Sequence, residues 1–152
     1  MSHFVSTIWK NKLAFESHIN DHIIFIDSNG EDSDHIGPNP KPLMLSSLAG
    51  CSGMDVMSLL PKMRVSVSSF RMDIQAELTT EHPKIYSHIH LDYFFEGENP
   101  KVDKILKAVR LSQERYCGVS EMIRRVCPLT YSVYVNGKLV LEKEISKREE
   151  KS

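Results

Sequence analysis

The sequence predicts an α+β fold, and three observations carry that expectation. Short strand-like segments fill the first third of the chain. A long apolar helical run follows the stop at Gly37-Pro38-Asn39-Pro40. Two long segments with strict two-residue alternation come next, then two helical stretches and a hairpin. Strands, helices and strands in separate runs are the signature of α+β rather than of alternating βαβ units.

Taken in order, Phe4–Trp9, Leu13–Ser17 and His22–Asp27 are rich in aromatic and branched residues, with Asn11-Lys12 and Ser28-Asn29-Gly30 as turns. Glu31–Ile36 is an acidic loop. Asn39 is placed to cap a helix with Pro40 at its first position, where a missing N–H costs little. That helix is expected over about 40–60. Leu43, Met44, Leu45, Leu48, Val56, Met57, Leu59 and Leu60 surround it on nearly every side, so it is expected to be buried all round. Phe70, Met72, Ile74, Ala76 and Leu78 alternate with polar residues, as do Ile89, Leu91, Tyr93 and Phe95. These are two half-buried strands forming an antiparallel pair. Gly97-Glu98-Asn99-Pro100 opens a helix ending near Tyr116, and a shorter helix starts near Val119. Asn136-Gly137 joins two final strands in a hairpin. A charged tail, Lys143–Ser152, is expected to fray.

The 152 residues suit one domain, 1–152, with a core of its own. A formal net charge of -1 offers no general attraction to nucleic acid or to an anionic membrane. No apolar stretch reaches about 18 residues, and the N-terminus lacks a signal-peptide layout, so no membrane role is expected. Three cysteines, an odd number, argue against a secreted disulfide framework and for a cytoplasmic setting.

Chemistry concentrates on two of those cysteines. Cys51 lies in Leu48-Ala49-Gly50-Cys51-Ser52-Gly53-Met54-Asp55-Val56, where glycines cost a helix about 1 kcal/mol each and open space beside the sulfur. Taken alone, a cysteine on an apolar helix is more often inert packing. Asp55 would raise a nearby thiol's pKa, so it reads as a structural hydrogen-bond partner rather than an activator. Cys117, in Tyr116-Cys117-Gly118-Val119-Ser120, precedes a helix N-terminus, where unpaired N–H groups favour a thiolate and Gly118 lets the chain turn. An incidental cysteine at a helix junction is the competing reading. Cys127 reads as structural. Two thiols without CxxC spacing suit redox chemistry better than zinc binding. His88 and His90 share a strand face, but metal ligation needs a further ligand, and an exposed polar face explains them better. No metal or cofactor site is expected.

These segments resemble the OsmC/Ohr family of thiol-dependent hydroperoxide reductases, in an atypical OsmC-like branch. Gly37-Pro38-Asn39-Pro40, the run 48–56 and Leu111-Ser112-Gln113-Glu114-Arg115-Tyr116-Cys117-Gly118-Val119-Ser120 carry the similarity. The resemblance implies antiparallel sheets wrapped around long central helices in an intertwined homodimer. It implies that Cys51 attacks an organic hydroperoxide and that Cys117 resolves the product to a disulfide. A dithiol such as a lipoylated protein would then reduce it, without metal or cofactor. Leu48, Met44 and Met54 would form apolar walls. Typical members hold the nucleophile with an arginine from the N-terminal strands and a glutamate early in the central helix. Here the first arginine is Arg64, and Lys41 and Pro42 stand at the helix start, with Lys10 and Lys12 as the nearby cations. That departure implies weak peroxidase chemistry, or alternatively a non-enzymatic dimer that binds a small hydrophobic ligand or senses redox state.

Overall fold

Alternation and turn chemistry dominate the first 46 residues of the computed structural model, which describes residues 1–150. β1 (Val5–Asn11), β2 (Ala14–Ile19) and β3 (His22–Ile26) form an antiparallel meander in that order. Lys12 and Asn20 take positive φ at the two tight connections. The loop after β3 is tied down by Asp27, whose carboxylate accepts the N–H groups of Ser28 and Ile36. Gly37 then passes so close to β3 that a Cβ on it would lie 2.2 Å from the Phe25 carbonyl oxygen. The Asp27 N–H reaches the Pro38 carbonyl at 3.0 Å, which fixes the lead-in to the next helix. Phe4, Ile8, Trp9 and Ile23 remain exposed.

α1 (Pro40–Lys62) begins where Asn39-Pro40 predicts, and its last turn includes Pro61. The expectation of burial all round is not met. Only Leu48, Ser52, Val56 and Leu60, a stripe spaced by four, are buried. Met54 and Met57 are exposed. The expectation that no segment is long and apolar enough to span a membrane also needs correction. α1 meets that standard by length and composition, since its leucines, methionines and Val56 keep mean hydropathy at 1.4 despite Asp55 and its serines. Its buried stripe is that of a core helix.

The unit 47–152 is built on a four-stranded sheet in the order β4 (Ser69–Leu78), β5 (Tyr86–Glu96), β6 (Leu129–Val135), β7 (Lys138–Ile145). β4 and β5 pair antiparallel, as the alternation predicts. β5 and β6 pair in parallel, so this sheet is mixed rather than wholly antiparallel. A parallel pair needs a long crossover, and here it consists of α2 (Val102–Leu111), a π-helical turn (Ser112–Tyr116) and α3 (Gly118–Arg124). Ile89, Leu91, Tyr93 and Phe95 of β5 point into the core with Ile105 and Val109 of α2. Each such side chain contributes about 1.5–3 kcal/mol on burial.

Asn136 and Gly137 both take positive φ, as an Asn-Gly hairpin turn requires. The tail does not fray from Lys143. β7 continues to Ile145, because Glu144 accepts from the Tyr131 hydroxyl and from Arg110, and Ser146 is buried. Beyond β7 the chain is irregular, with the Glu149 N–H bonded to the Glu114 carbonyl at 3.1 Å, and 151–152 of the expected tail lie outside the described residues.

Candidate functional site

The long crossover brings Cys117 to α1. The π-helical turn widens the chain by one residue, so the Cys117 N–H bonds the Ser112 carbonyl at 2.8 Å. Such turns recur at functional positions in helices. Cys117 itself is extended and caps α3, its Sγ accepting the Ser120 N–H at 3.3 Å. The bend therefore comes from the π turn and from Cys117. Gly118 is not needed for it, since its φ is ordinary and a Cβ there would meet nothing within 4 Å.

Cys51 lies half-buried on α1 and Asp55 one turn later. The two sulfurs and a carboxylate oxygen of Asp55 all lie within 4.8 Å of one another. Residues far apart in sequence thus converge, as the sequence reading of Cys51 and Cys117 anticipates. The electrostatics differ from that reading. Burial pushes the Cys117 thiol up to about 11, outweighing the Ser120 hydrogen bonds that favour its thiolate, and Cys51 adds to the rise. A helix N-terminus cannot offset so much desolvation. Burial also lifts the Asp55 carboxyl above its ordinary value, against the opposing hydrogen bond from Ser112.

Asp55 is a hydrogen-bond partner, as expected: Ser112 Oγ donates to its Oδ2 at 2.9 Å. Behind it lies a polar set that the sequence reading did not single out. Ser52 Oγ lies 2.9 Å from Ser112 Oγ and 2.6 Å from the Tyr93 hydroxyl. Gln113 Nε2 donates to that hydroxyl at 2.6 Å. Ser52, Tyr93, Ser112 and Gln113 are all fully buried. One signal could have revealed them: Ser52 interrupts the apolar i, i+4 stripe between Leu48 and Val56, and Tyr93 sits at an inward strand position.

The glycines beside Cys51 differ from each other. A Cβ on Gly50 would meet nothing, whereas one on Gly53 would touch Met72 and Phe70 of β4. Gly53 thus borders an open apolar groove of about 440 Å³ with Met54, Met57, Phe70 and Met72. Of the expected walls, Met54 lines this groove and is exposed, Met44 is exposed, and Leu48 is wholly buried. Lys10 pairs with Glu16 and Lys12 with Asp34 within the first unit. Cys127 is buried, as expected of a packing residue, and burial raises its thiol. His88 and His90 are half-buried rather than exposed, both bonded to Thr130 Oγ1, with His90 also facing Asp92.

A thiol pair and a carboxyl, brought together by a central helix and the crossover of a mixed sheet, define an α+β protein of the paired-cysteine class. A family model described as OsmC-like protein matches residues 30–132. Protein YhfA of Escherichia coli K12 is 33% identical over 114 residues, covering 75% of this chain and 83% of YhfA. A hypothetical protein from Aquifex aeolicus VF5 has a solved structure that superposes with a TM-score of 0.80. It is 29% identical and covers 90% of this chain and 97% of that one. The organic hydroperoxide resistance protein OsmC of Legionella pneumophila shares the fold at a TM-score of 0.67, with 17% identity over 89% of this chain and 98% of its own. The chain belongs to the OsmC-like family.

Proposed function

We propose that this protein reduces organic hydroperoxides with its two thiols, as a cytoplasmic homodimer of one OsmC-like domain. The convergence of Cys51 and Cys117 within 4.8 Å carries the reading. Cys51, the more accessible sulfur, attacks the outer oxygen of the hydroperoxide as thiolate. The O–O bond breaks, an alcohol leaves and Cys51 becomes a sulfenic acid. The Cys117 thiol condenses with it, releasing water and forming a disulfide that an external dithiol, such as a lipoylated protein, reduces. The apolar groove beside Gly53 favours hydroperoxides with fatty or aromatic tails.

The dimer rests on the uncovered side of α1, where Met54 is 75% exposed and Met57 43%. Met54→Glu is expected to shift sedimentation toward monomer at micromolar concentration. Equal sedimentation of variant and wild type would exclude this face from the interface.

Intact mass after brief treatment of reduced protein with one equivalent of cumene hydroperoxide tests the chemistry. Wild type should lose two hydrogens, Cys51→Ser should not, and Cys117→Ser should trap a sulfenic adduct. A protein left unoxidised would defeat the enzyme reading. A second reading, a dimer that binds a small hydrophobic ligand with the thiols as redox switch, draws on the buried, protonated Cys117 and the open groove. It requires saturable binding of an apolar fluorophore by a protein inert to hydroperoxide.

A further inference from the structure

Seven polar side chains run without a break through the interior behind the thiols. Arg124 Nη1 donates to Ser146 Oγ at 3.1 Å, and Ser146 donates to Gln113 Oε1 at 2.8 Å. Gln113 Nε2 donates to the Tyr93 hydroxyl, which leaves the Tyr93 proton for Ser52 Oγ. Ser52 then donates to Ser112, and Ser112 to Asp55 Oδ2. The amide of Gln113 fixes the sense of the whole series: every hydroxyl donates toward Asp55. A guanidinium stands at one end and a carboxyl beside two sulfurs at the other. Buried polar series of this kind are costly unless every member is satisfied. Here each one is, and all are oriented to receive negative charge at Asp55.

We propose that Asp55 is the proton donor to the departing alkoxide when Cys51 attacks a hydroperoxide. The inference rests on the peroxidase reading above. Sulfur and the outer oxygen bond, the O–O bond breaks, and the inner oxygen takes the proton of the Asp55 carboxyl. Cys51 is oxidised by two electrons, the hydroperoxide is reduced to an alcohol, and Asp55 becomes a carboxylate. That carboxylate appears where the Ser112 hydroxyl already points, so no donor has to reorganise. Asp55 regains its proton from the Cys51 thiol when the next cycle begins.

The groups facing Asp55 allow this sharing. Cys51 lies on its own helix, Cys117 comes from the crossover and Tyr93 from β5. Cys117 and Tyr93 both stay protonated near neutral pH because burial raises them. Cys51 and Asp55 are the remaining members of the cluster, within 4.8 Å of each other, so a proton that leaves the Cys51 thiol has the Asp55 carboxyl beside it. The raised Asp55 carboxyl helps to keep the proton on oxygen. Arg124, at the far end, is paired with Glu121.

Two electrophiles separate this role from simple charge repulsion. Iodoacetamide loses iodide and needs no acid, whereas a hydroperoxide loses an alkoxide and does. Asp55→Asn should make Cys51 react faster with iodoacetamide at neutral pH, because a neighbouring negative charge is gone. The same variant should be oxidised by cumene hydroperoxide at least about 10²-fold more slowly, the usual contribution of general acid catalysis. The wild-type oxidation rate should fall as rising pH takes the proton from Asp55, whereas that of Asp55→Asn should show no such fall. Ser112→Ala should slow oxidation by a smaller factor and leave alkylation near the wild-type rate. An Asp55→Asn protein that is faster toward both reagents would overturn the inference and leave the peroxidase reading intact. A wild type that alkylates at Cys51 but resists hydroperoxide would sink both.

Discussion

Replacing Tyr93 with phenylalanine removes one oxygen from the middle of the buried hydroxyl series and changes almost nothing else. Tyr93 is fully buried, and its hydroxyl makes two contacts of 2.6 Å, with Ser52 and Gln113. Ser52 keeps Ser112 at 2.9 Å, so that side loses only the net worth of one hydrogen bond, about 1 kcal/mol. Gln113 Nε2 is left with Ser52 Oγ at 3.4 Å, a poor substitute, and a buried donor left short costs about 1–3 kcal/mol. The total is about 3 kcal/mol, or about 9 °C in Tm for a chain of this size. Urea unfolding of both proteins at one fixed concentration measures it, since a dimer's midpoint moves with concentration. Pairing the change with Ser52→Ala in a double-mutant cycle should give a coupling above about 0.5 kcal/mol. A loss under about 1 kcal/mol, with no coupling, would mean that these hydroxyls do not form the closed series described.

Other expectations follow from the same geometry. Burial raises the Asp55 carboxyl, so the folded state favours its protonated form; that contribution is intact below the unfolded value of 3.8 and lost as pH climbs through the folded value. Asp55→Asn should therefore gain stability on wild type as pH rises from the ordinary carboxyl value through the raised folded one, and urea midpoints with a constant difference would contradict the burial argument. In Cys51→Ser, burial alone should still hold the Cys117 thiol above the free value, so its alkylation should be slow at pH 8 and keep rising with pH; a plateau by pH 8 would refute it. Gly37→Ala forces a methyl against the Phe25 carbonyl with backbone on both sides, and should cost about 2–3 kcal/mol. An unchanged urea midpoint would show that the lead-in to α1 can move aside.

Much of the fold was legible because its signals are local. Alternation in 70–78 and 85–95 sets register by itself, and Asn136-Gly137 and Pro40 mark a turn and a helix start. The parallel β5–β6 pair was not legible, since it depends on the path of the crossover rather than on either strand's pattern. Nor was the one-sided burial of α1: composition counts apolar residues without saying what covers them. At the site, both cysteines could be picked from their surroundings. Their protonation could not, because desolvation is set by neighbours drawn from α1, β5 and the crossover together. In the sequence, Asp55 shows only its own charge. Its partners Ser112, Ser52 and Tyr93 come from three separate elements, so their alignment exists only in the folded chain.

The placement of the two sulfurs links heat resistance to redox state. A bond between Cys51 and Cys117 would close a loop of roughly 66 residues, removing about 4 kcal/mol of chain entropy from the unfolded ensemble if the native geometry accepts it without strain. By the thermodynamic cycle, folding then lowers the reduction potential of the pair by the same amount, about 90 mV. The folded protein would thus cling to such a disulfide more tightly than a loose chain, and a monothiol would be a poor match for the job of removing it. The difference in melting temperature between oxidised and reduced protein becomes a gauge of that potential, readable without any substrate.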